Sequence, residues 1–162
     1  MSKHYDPEAE AHARGFFVST RELPHGILGI TDCVEGIWVD ERLLQRERRS
    51  TLAHELAHAD LYAERPGRMG SGAYGRCGSV EDECNERAAV KLIAVDDLID
   101  ACKWADSLEE AAEELIVNSQ MVRARLRTLT KDEARRFDRE VGRGYSARLR
   151  GKPMKRTPLK RR

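Results

Sequence analysis

The sequence contains no run of apolar residues that approaches the roughly 18 needed to cross a bilayer. Its first residues lead into Pro7 and Glu8 rather than into an apolar secretion segment. No two cysteines form a C-x-x-C pair, which argues against a structural zinc finger, and their irregular spacing suits reduced thiols that lie mostly in a core. The sequence therefore predicts a cytoplasmic protein, not a membrane or secreted one.

Acidic residues are absent from positions 143–162, where nine residues are Lys or Arg. Because the formal net charge of the whole chain is +1, residues 1–142 carry a net charge of −8. The 143–162 segment has almost nothing apolar to bury, so we predict a disordered basic tail. Two roles stay open for it: a solvated end that aids solubility, and weak contact with the phosphates of nucleic acid.

The first part of the chain predicts a small sheet. Its 162 residues, 40% of them hydrophobic, suffice for one compact domain with a short extension. Between positions 16 and 40, short β-branched and aromatic runs alternate with turn residues, which predicts three strands in an antiparallel sheet. The predicted strands are 16–18, 27–31 and 36–39.

The rest of the chain predicts helices. Apolar spacing and breakers predict helices over about 45–63, 80–94 and 97–104. Capping residues at Ser107 and Thr130, each followed three residues later by glutamate, begin two further helices. A sheet followed by helices predicts the α+β class.

A helical H-E-x-x-H segment, His54-Glu55-Leu56-Ala57-His58, carries the chemistry. Residues four apart on a helix lie on one face, so both imidazoles can approach one cation. Zinc lowers the pKa of a bound water to about 7, and Glu55 stands beside the pair as a general base. The segment therefore predicts a catalytic Zn²⁺ site with His54 and His58 as ligands.

A catalytic zinc usually has three protein ligands, and no histidine follows His58. A downstream carboxylate is therefore expected as the third ligand. The candidates are Glu81, Asp82, Glu83 and Glu86. Glu81 leads because it shares a helix face with Cys84 and Asn85, whereas Glu83 comes second.

These two motifs resemble the ImmA/IrrE family of zinc metallopeptidases, small gluzincin-type proteins of bacteria, phages and other mobile elements. The likeness rests on L-A-H-E-L-A-H at 52–58 and on E-x-x-C-N-x-x-A-A at 81–89, and it extends loosely over residues 16–130. It implies that His54, His58 and Glu81 are ligands and that Glu55 is the base. Arg87 departs from the family pattern, which usually has an aromatic residue there.

The resemblance also implies a domain organisation. Residues 1–104 correspond to a zincin-like metallopeptidase core, and residues 105–142 to a helical, helix-turn-helix-like extension. Four glutamates in the first helix of that extension would repel phosphate, which favours a structural or repressor-docking role over DNA reading. The 143–162 tail completes the division.

The resemblance further implies a mode of substrate binding and a target. Substrates of such peptidases pair with an edge strand beside the active helix. The run Gly36-Ile37-Trp38-Val39 is the best candidate for that edge, and an ordinary core strand is the alternative, above all for Trp38. Tyr74 is a candidate donor to the developing oxyanion, and a loop aromatic without a catalytic role is the simpler alternative. Cys77 is more simply a loop cysteine than a ligand. Members of the family typically cleave a helix-turn-helix transcriptional repressor.

Two functions follow from these observations. The first is a zinc-dependent endopeptidase acting on a regulatory protein, and the second is a non-cleaving module that docks on a repressor or on nucleic acid. A module that only binds would not require Glu55 beside the two histidines, so the complete set favours the peptidase.

Overall fold

The computed structural model describes residues 5–66 and 78–142, and within them the chain forms seven helices and one three-stranded sheet. This arrangement confirms the α+β class. The elements are α1 Pro7–Ala13, β1 Phe17–Arg21, β2 Gly29–Thr31, β3 Gly36–Asp40, α2 Gln45–Glu64, α3 Gly78–Leu92, α4 Val95–Trp104, α5 Leu108–Glu114, α6 Ser119–Arg127 and α7 Lys131–Glu140.

The sheet is mixed, so the prediction of an antiparallel sheet is wrong in part. The strand order is β1-β3-β2, with β2 antiparallel to β3 and β1 parallel to β3. The tight turn between β2 and β3 forces these two strands to run in opposite directions. The longer connection 22–28 spans two strand spacings, about 10 Å, and therefore leaves room for β3 between the other two strands.

Helix α2 covers the inner face of the sheet. Ile37 and Val39 point inward and are fully buried, and they cluster with Leu52 and Leu56 of α2. The sheet contributes apolar residues at alternate positions of β3, as a sheet with one covered face requires. This packing fixes α2, which carries the H-E-x-x-H segment, directly beneath β2 and β3.

Helices α3 to α7 share one hydrophobic core with α2. The cluster runs from Ala53 of α2 to Phe137 of α7, and it includes residues of every helix between them. Arg49 of α2 ties the helix ends together, because its guanidinium donates to the carbonyl oxygens of Leu92 and Leu115. Cations at helix C-termini are stabilising, since the carbonyl groups there carry partial negative charge.

The helix-turn-helix-like part, α5 and α6, packs into this core. Met121, Val122 and Leu126 of α6 are buried, and α6 lies against α3. A recognition helix that reads DNA needs an exposed face with several base-contacting side chains, whereas the apolar face of α6 is turned into the core.

In the part of the chain that the structure describes, no helix combines the length and apolar character that a bilayer span demands.

Candidate metal centre

Helix α2 presents the two predicted histidines side by side. His54 and His58 lie one turn apart, and their Nε2 atoms are 3.0 Å from each other. Both side chains are mostly buried, since the helix packs through its neighbouring leucines and alanines on the sheet and on α3. The small side chains of Ala53 and Ala57 leave room for this close helix packing.

Helix α3 brings Glu81 to the same point. Its Oε2 atom lies 3.2 Å from Nε2 of His54, and its Oε1 atom lies 3.4 Å from Nε2 of His58. The structure therefore places all three predicted ligands together. They also form a group of donor atoms that could hold a metal ion, identified among residues 5–66 and 78–142.

Glu83, the second candidate for the third ligand, faces elsewhere. Its carboxylate accepts hydrogen bonds from Arg87 at 2.9 Å and from Arg65 at 3.2 Å. The Arg87 guanidinium, assisted by Arg65, holds the pKa of Glu83 below its ordinary value. The structure therefore groups Glu81, and not Glu83, with the two histidines.

Asn85 supports His54 from behind, a role that the sequence analysis did not assign. Its Oδ1 atom lies 3.0 Å from Nδ1 of His54. When Nδ1 carries the ring proton and donates it to this amide, the Nε2 lone pair faces Glu81 and His58. Metal-binding histidines are commonly oriented in this way. The sequence spacing could have predicted this role, because Asn85 follows Glu81 by four residues and shares its helix face.

The three donors fit a zinc ion in kind and in spacing. Zinc binds imidazole nitrogen and carboxylate oxygen at about 2.0–2.2 Å, so tetrahedral geometry separates two donors by about 3.3–3.5 Å. The observed separations between the donor atoms, 3.0, 3.2 and 3.4 Å, are close to these tetrahedral donor–donor distances. Two imidazoles and one carboxylate also leave a fourth position for water or substrate, as catalytic zinc sites do.

The charges around His54 favour its protonated form in the absence of a metal. Burial acts to lower its pKa, but the hydrogen bond that His54 donates to Glu81 and the charges of Glu55 and Glu81 outweigh burial, so the pKa is raised. A site that attracts a proton in this manner also attracts a divalent cation. Protons and metal therefore compete for the same nitrogen.

Glu55, the predicted base, is buried between α2 and β2. Only 7% of it is exposed. Gly29 of β2 lies directly against it, since a Cβ atom at position 29 would stand 2.9 Å from Oε1 of Glu55 and 2.5 Å from Cγ2 of Thr51. The carboxylate therefore lies against the backbone of β2, and its negative charge acts on His54.

The prediction that Gly36–Val39 forms the edge strand is wrong. These residues belong to β3, which pairs with β1 on one side and with β2 on the other. Ile37 and Val39 are core residues, whereas the Trp38 ring packs on the outer face of the sheet, 5.1 Å from the ring of Phe17. The edge strand next to α2 is β2.

Tyr74 and Cys77, which the sequence analysis considered near the site, lie outside the described residues, as does the 143–162 tail. Cys84, on α3, is fully buried. Burial, together with the charge of Glu81, raises the pKa of its thiol to about 12. Cys84 is therefore a protonated core residue rather than a ligand.

Comparison with protein-family models, with curated proteins and with solved structures finds no match for this chain. The resemblance to a peptidase family accordingly rests on the motif residues themselves.

Proposed function

We propose that this chain is a zinc-dependent endopeptidase that acts in the cytoplasm. The observation that carries the proposal is the convergence of His54, His58 and Glu81 beside the buried carboxylate of Glu55. A site that served only to stabilise the fold would close the metal with a fourth protein ligand. Here three ligands and an adjacent base match the composition of a hydrolytic zinc site.

Each residue of the candidate site would have a separate role in peptide hydrolysis. His54, His58 and Glu81 would hold the ion, and Asn85 would keep the His54 ring in the tautomer that can bind it. Zinc, when bound, polarises a substrate carbonyl and makes water acidic enough to lose a proton near neutral pH. Glu55 would accept a proton from the attacking water and return it to the leaving amine, so its carboxylate would act first as base and then as acid.

Among the residues that the structure describes, β2 pairs only with β3, so its other edge offers a place for the substrate backbone. The N–H of Asp40 donates to the carbonyl oxygen of Leu28, which fixes the hydrogen-bonding parity of the β2–β3 ladder. Because that parity alternates along an antiparallel pair, the backbone groups of Gly29 and Thr31 point away from β3. An extended peptide could pair with them beside Glu55, as in strand-addition recognition.

We infer from the motif resemblance that the substrate is a helix-turn-helix transcriptional repressor. The likeness to ImmA/IrrE peptidases covers the histidine pair, the base and the downstream Glu81-x-x-Cys84-Asn85 run. Cleavage of such a repressor would relieve repression of the genes it controls. The basic tail adds weak contact with nucleic acid as a further proposal.

The test separates metal binding from cleavage. Purified protein is expected to hold about one zinc per chain by elemental analysis, and to cleave a small helix-turn-helix repressor, chosen by searching the neighbouring reading frames, as followed by mass spectrometry. Glu55→Gln keeps the shape of the side chain and removes its basicity. It is expected to keep the zinc and to lose at least about a hundredfold in rate.

Each result has a defined meaning. Cleavage that persists in Glu55→Gln would contradict the assignment of the base. Repressor binding without cleavage by the zinc-loaded wild-type protein would favour the non-cleaving docking module instead. His58→Ala serves as the matched control, because it is expected to lose zinc and cleavage together.

A further inference from the structure

An ion-pair network joins the end of α2 to the second and third turns of α3. Arg87 of α3 binds the Glu64 carboxylate through both terminal nitrogens, at 2.6 and 2.8 Å, and it also donates to Glu83 at 2.9 Å. Arg65 donates to Glu83 at 3.2 Å. We call these four residues, Glu64, Arg65, Glu83 and Arg87, the α2–α3 clamp.

The clamp holds α3 on the side of the helix opposite to Glu81, the candidate third metal ligand. Successive residues on a helix are rotated by about 100°, so Glu83 points about 200° away from Glu81. Between these two directions, Cys84 is buried against Ala57 and Leu61 of α2. Helix α3 is thus fixed by apolar packing on one face and by charged contacts on another.

The position of Glu81 depends directly on the rotation of α3. A side-chain tip lies about 6 Å from the helix axis, so a rotation of about 20° moves it by about 2 Å. Metal–donor distances tolerate only about ±0.2 Å. Restraints on the rotation of α3 are therefore restraints on the third ligand.

We propose that the α2–α3 clamp is a positioning network for Glu81 and makes the metal affinity of the site sensitive to ionic strength. The proposal rests on the metal site of the proposed function. The four side chains are between 30% and 49% exposed, so dissolved salt screens their attraction. The bidentate geometry of Arg87 with Glu64 is the kind of surface pairing that contributes measurably.

Arg87→Gln tests the clamp, and Lys91→Gln is the matched control. Lys91 also joins α3 to neighbouring helices, through Glu10 and Asp60, but it lies ten residues, about 15 Å, beyond Glu81. Zinc affinity is measured by competition with a chromogenic chelator, and thermal unfolding of the metal-free proteins is measured in parallel. Arg87→Gln is expected to bind zinc roughly three- to tenfold more weakly, with Lys91→Gln unchanged.

Two further measurements separate positioning from general stability. Glu64→Gln is expected to weaken zinc binding as Arg87→Gln does. The double variant is expected to bind zinc as tightly as the single variant with the lower zinc affinity, because both substitutions break the same contact. In about 1 M NaCl the wild-type affinity is expected to fall toward that of Arg87→Gln, since the Debye length is then only about 3 Å.

The outcomes are distinguishable. Equal zinc affinity in wild type and Arg87→Gln would overturn the clamp and leave the peptidase proposal standing. Equal losses in Arg87→Gln and Lys91→Gln would also overturn it, because reduced stability would then explain both. A wild-type protein that binds no zinc would overturn the clamp and the proposed function together.

Discussion

Gly29 shows how a single missing side chain shapes the site. Because a Cβ at this position would meet Thr51 and Glu55 at 2.5 and 2.9 Å, only glycine lets β2 lie against the carboxylate. Gly29→Ala is therefore expected to push β2 away from α2. We predict at least about a tenfold loss in the rate of peptide cleavage, since displacements near 1 Å are costly for positioned reactants, with zinc binding retained.

Gly36→Ala is the control for Gly29→Ala. Both glycines lie in the sheet, and a Cβ at Gly36 would also be crowded, by the rings of Phe17 and Trp38 at 2.7 Å. Those rings lie on the outer face, away from Glu55. Gly36→Ala is expected to cost about 1–3 kcal/mol in unfolding free energy, by urea titration, and to leave the cleavage rate of the folded protein unchanged. A similar rate loss in both variants would refute the special role of Gly29.

Asn85 is expected to raise the zinc affinity of the site through His54, without binding the metal itself. Asn85→Ala removes the acceptor for Nδ1 of His54, so the ring can rotate or carry its proton on the wrong nitrogen. We predict zinc binding weakened about 10- to 100-fold, measured by chelator competition. Asn85→Asp keeps an acceptor at this position and is expected to bind zinc nearly as wild type does. Weakened binding in both variants would instead indicate that the amide has another role.

The residues of the site differ in how much the sequence could say about them. The spacing of His54, Glu55 and His58 is local to one helix, so helix geometry alone predicted their shared face. The choice between Glu81 and Glu83 depended on partners from α2, since Arg65 lies 18 residues away from the glutamate it binds. Long-range pairs of this kind leave no periodicity in the sequence, and only the structure could assign them.

At the scale of elements, the buried carboxylate of Asp40 secures the central strand. It accepts the N–H of Leu23, at 2.9 Å, from the connection that follows β1, and it accepts Nε of Arg42 at 2.8 Å. The Arg42 guanidinium, with Leu23 N–H assisting, holds the pKa of Asp40 well below its ordinary value of 3.8. The contact therefore links β3 to the connection that passes over its end.

Asp40→Asn tests this contact through its pH dependence. Because the folded protein lowers the pKa of Asp40, the charged carboxylate stabilises the fold fully above pH 3.8, and that stabilisation is lost as the pH falls through the lower folded-state pKa. Asp40→Asn is therefore expected to unfold at a lower temperature than wild type at pH 7. The gap between the two proteins is expected to narrow below about pH 3.8. Thermal unfolding by circular dichroism across pH 2–7 measures the gap, and a constant gap would contradict the argument.

The topology of the sheet was harder to predict than its existence. Alternating apolar residues and turn signals located strands near 17–21, 29–31 and 36–40, within a few residues of their bounds. The sequence analysis placed an edge strand at 36–39, whereas the structure pairs this strand on both sides. The tether between Leu23 and Asp40 carries the connection across the end of β3. The strand order β1-β3-β2 therefore places β3 in the centre of the sheet and β2 at an edge.

At the scale of the whole molecule, the metal site depends on helices that contribute no ligand. More than half of the buried residues that cluster with Ala53 come from positions beyond 104. Helix α6 packs against α3, the helix of Glu81, with Met121 and Val122 buried. Arg49 and Ser50 of α2 are also engaged from that side, by the carbonyl of Leu115 and by the N–H of Asn118. The helices of 105–142 are thus part of the platform that holds α2 and α3 together.

Truncation tests this dependence, and the position of the cut decides the result. A chain ending at Trp104 exposes the apolar faces of α3 and α4, and each large side chain so exposed costs about 1.5–3 kcal/mol. Several such losses exceed the total stability of a typical domain, about 5–15 kcal/mol. The 1–104 chain is therefore expected to show no cooperative thermal transition and to bind zinc at least about a hundredfold more weakly. A chain ending at Gly142 removes only the basic tail and is expected to unfold and to bind zinc as the full chain does. Native zinc affinity in the 1–104 chain would show that the site stands without the later helices, contrary to the shared core argued here.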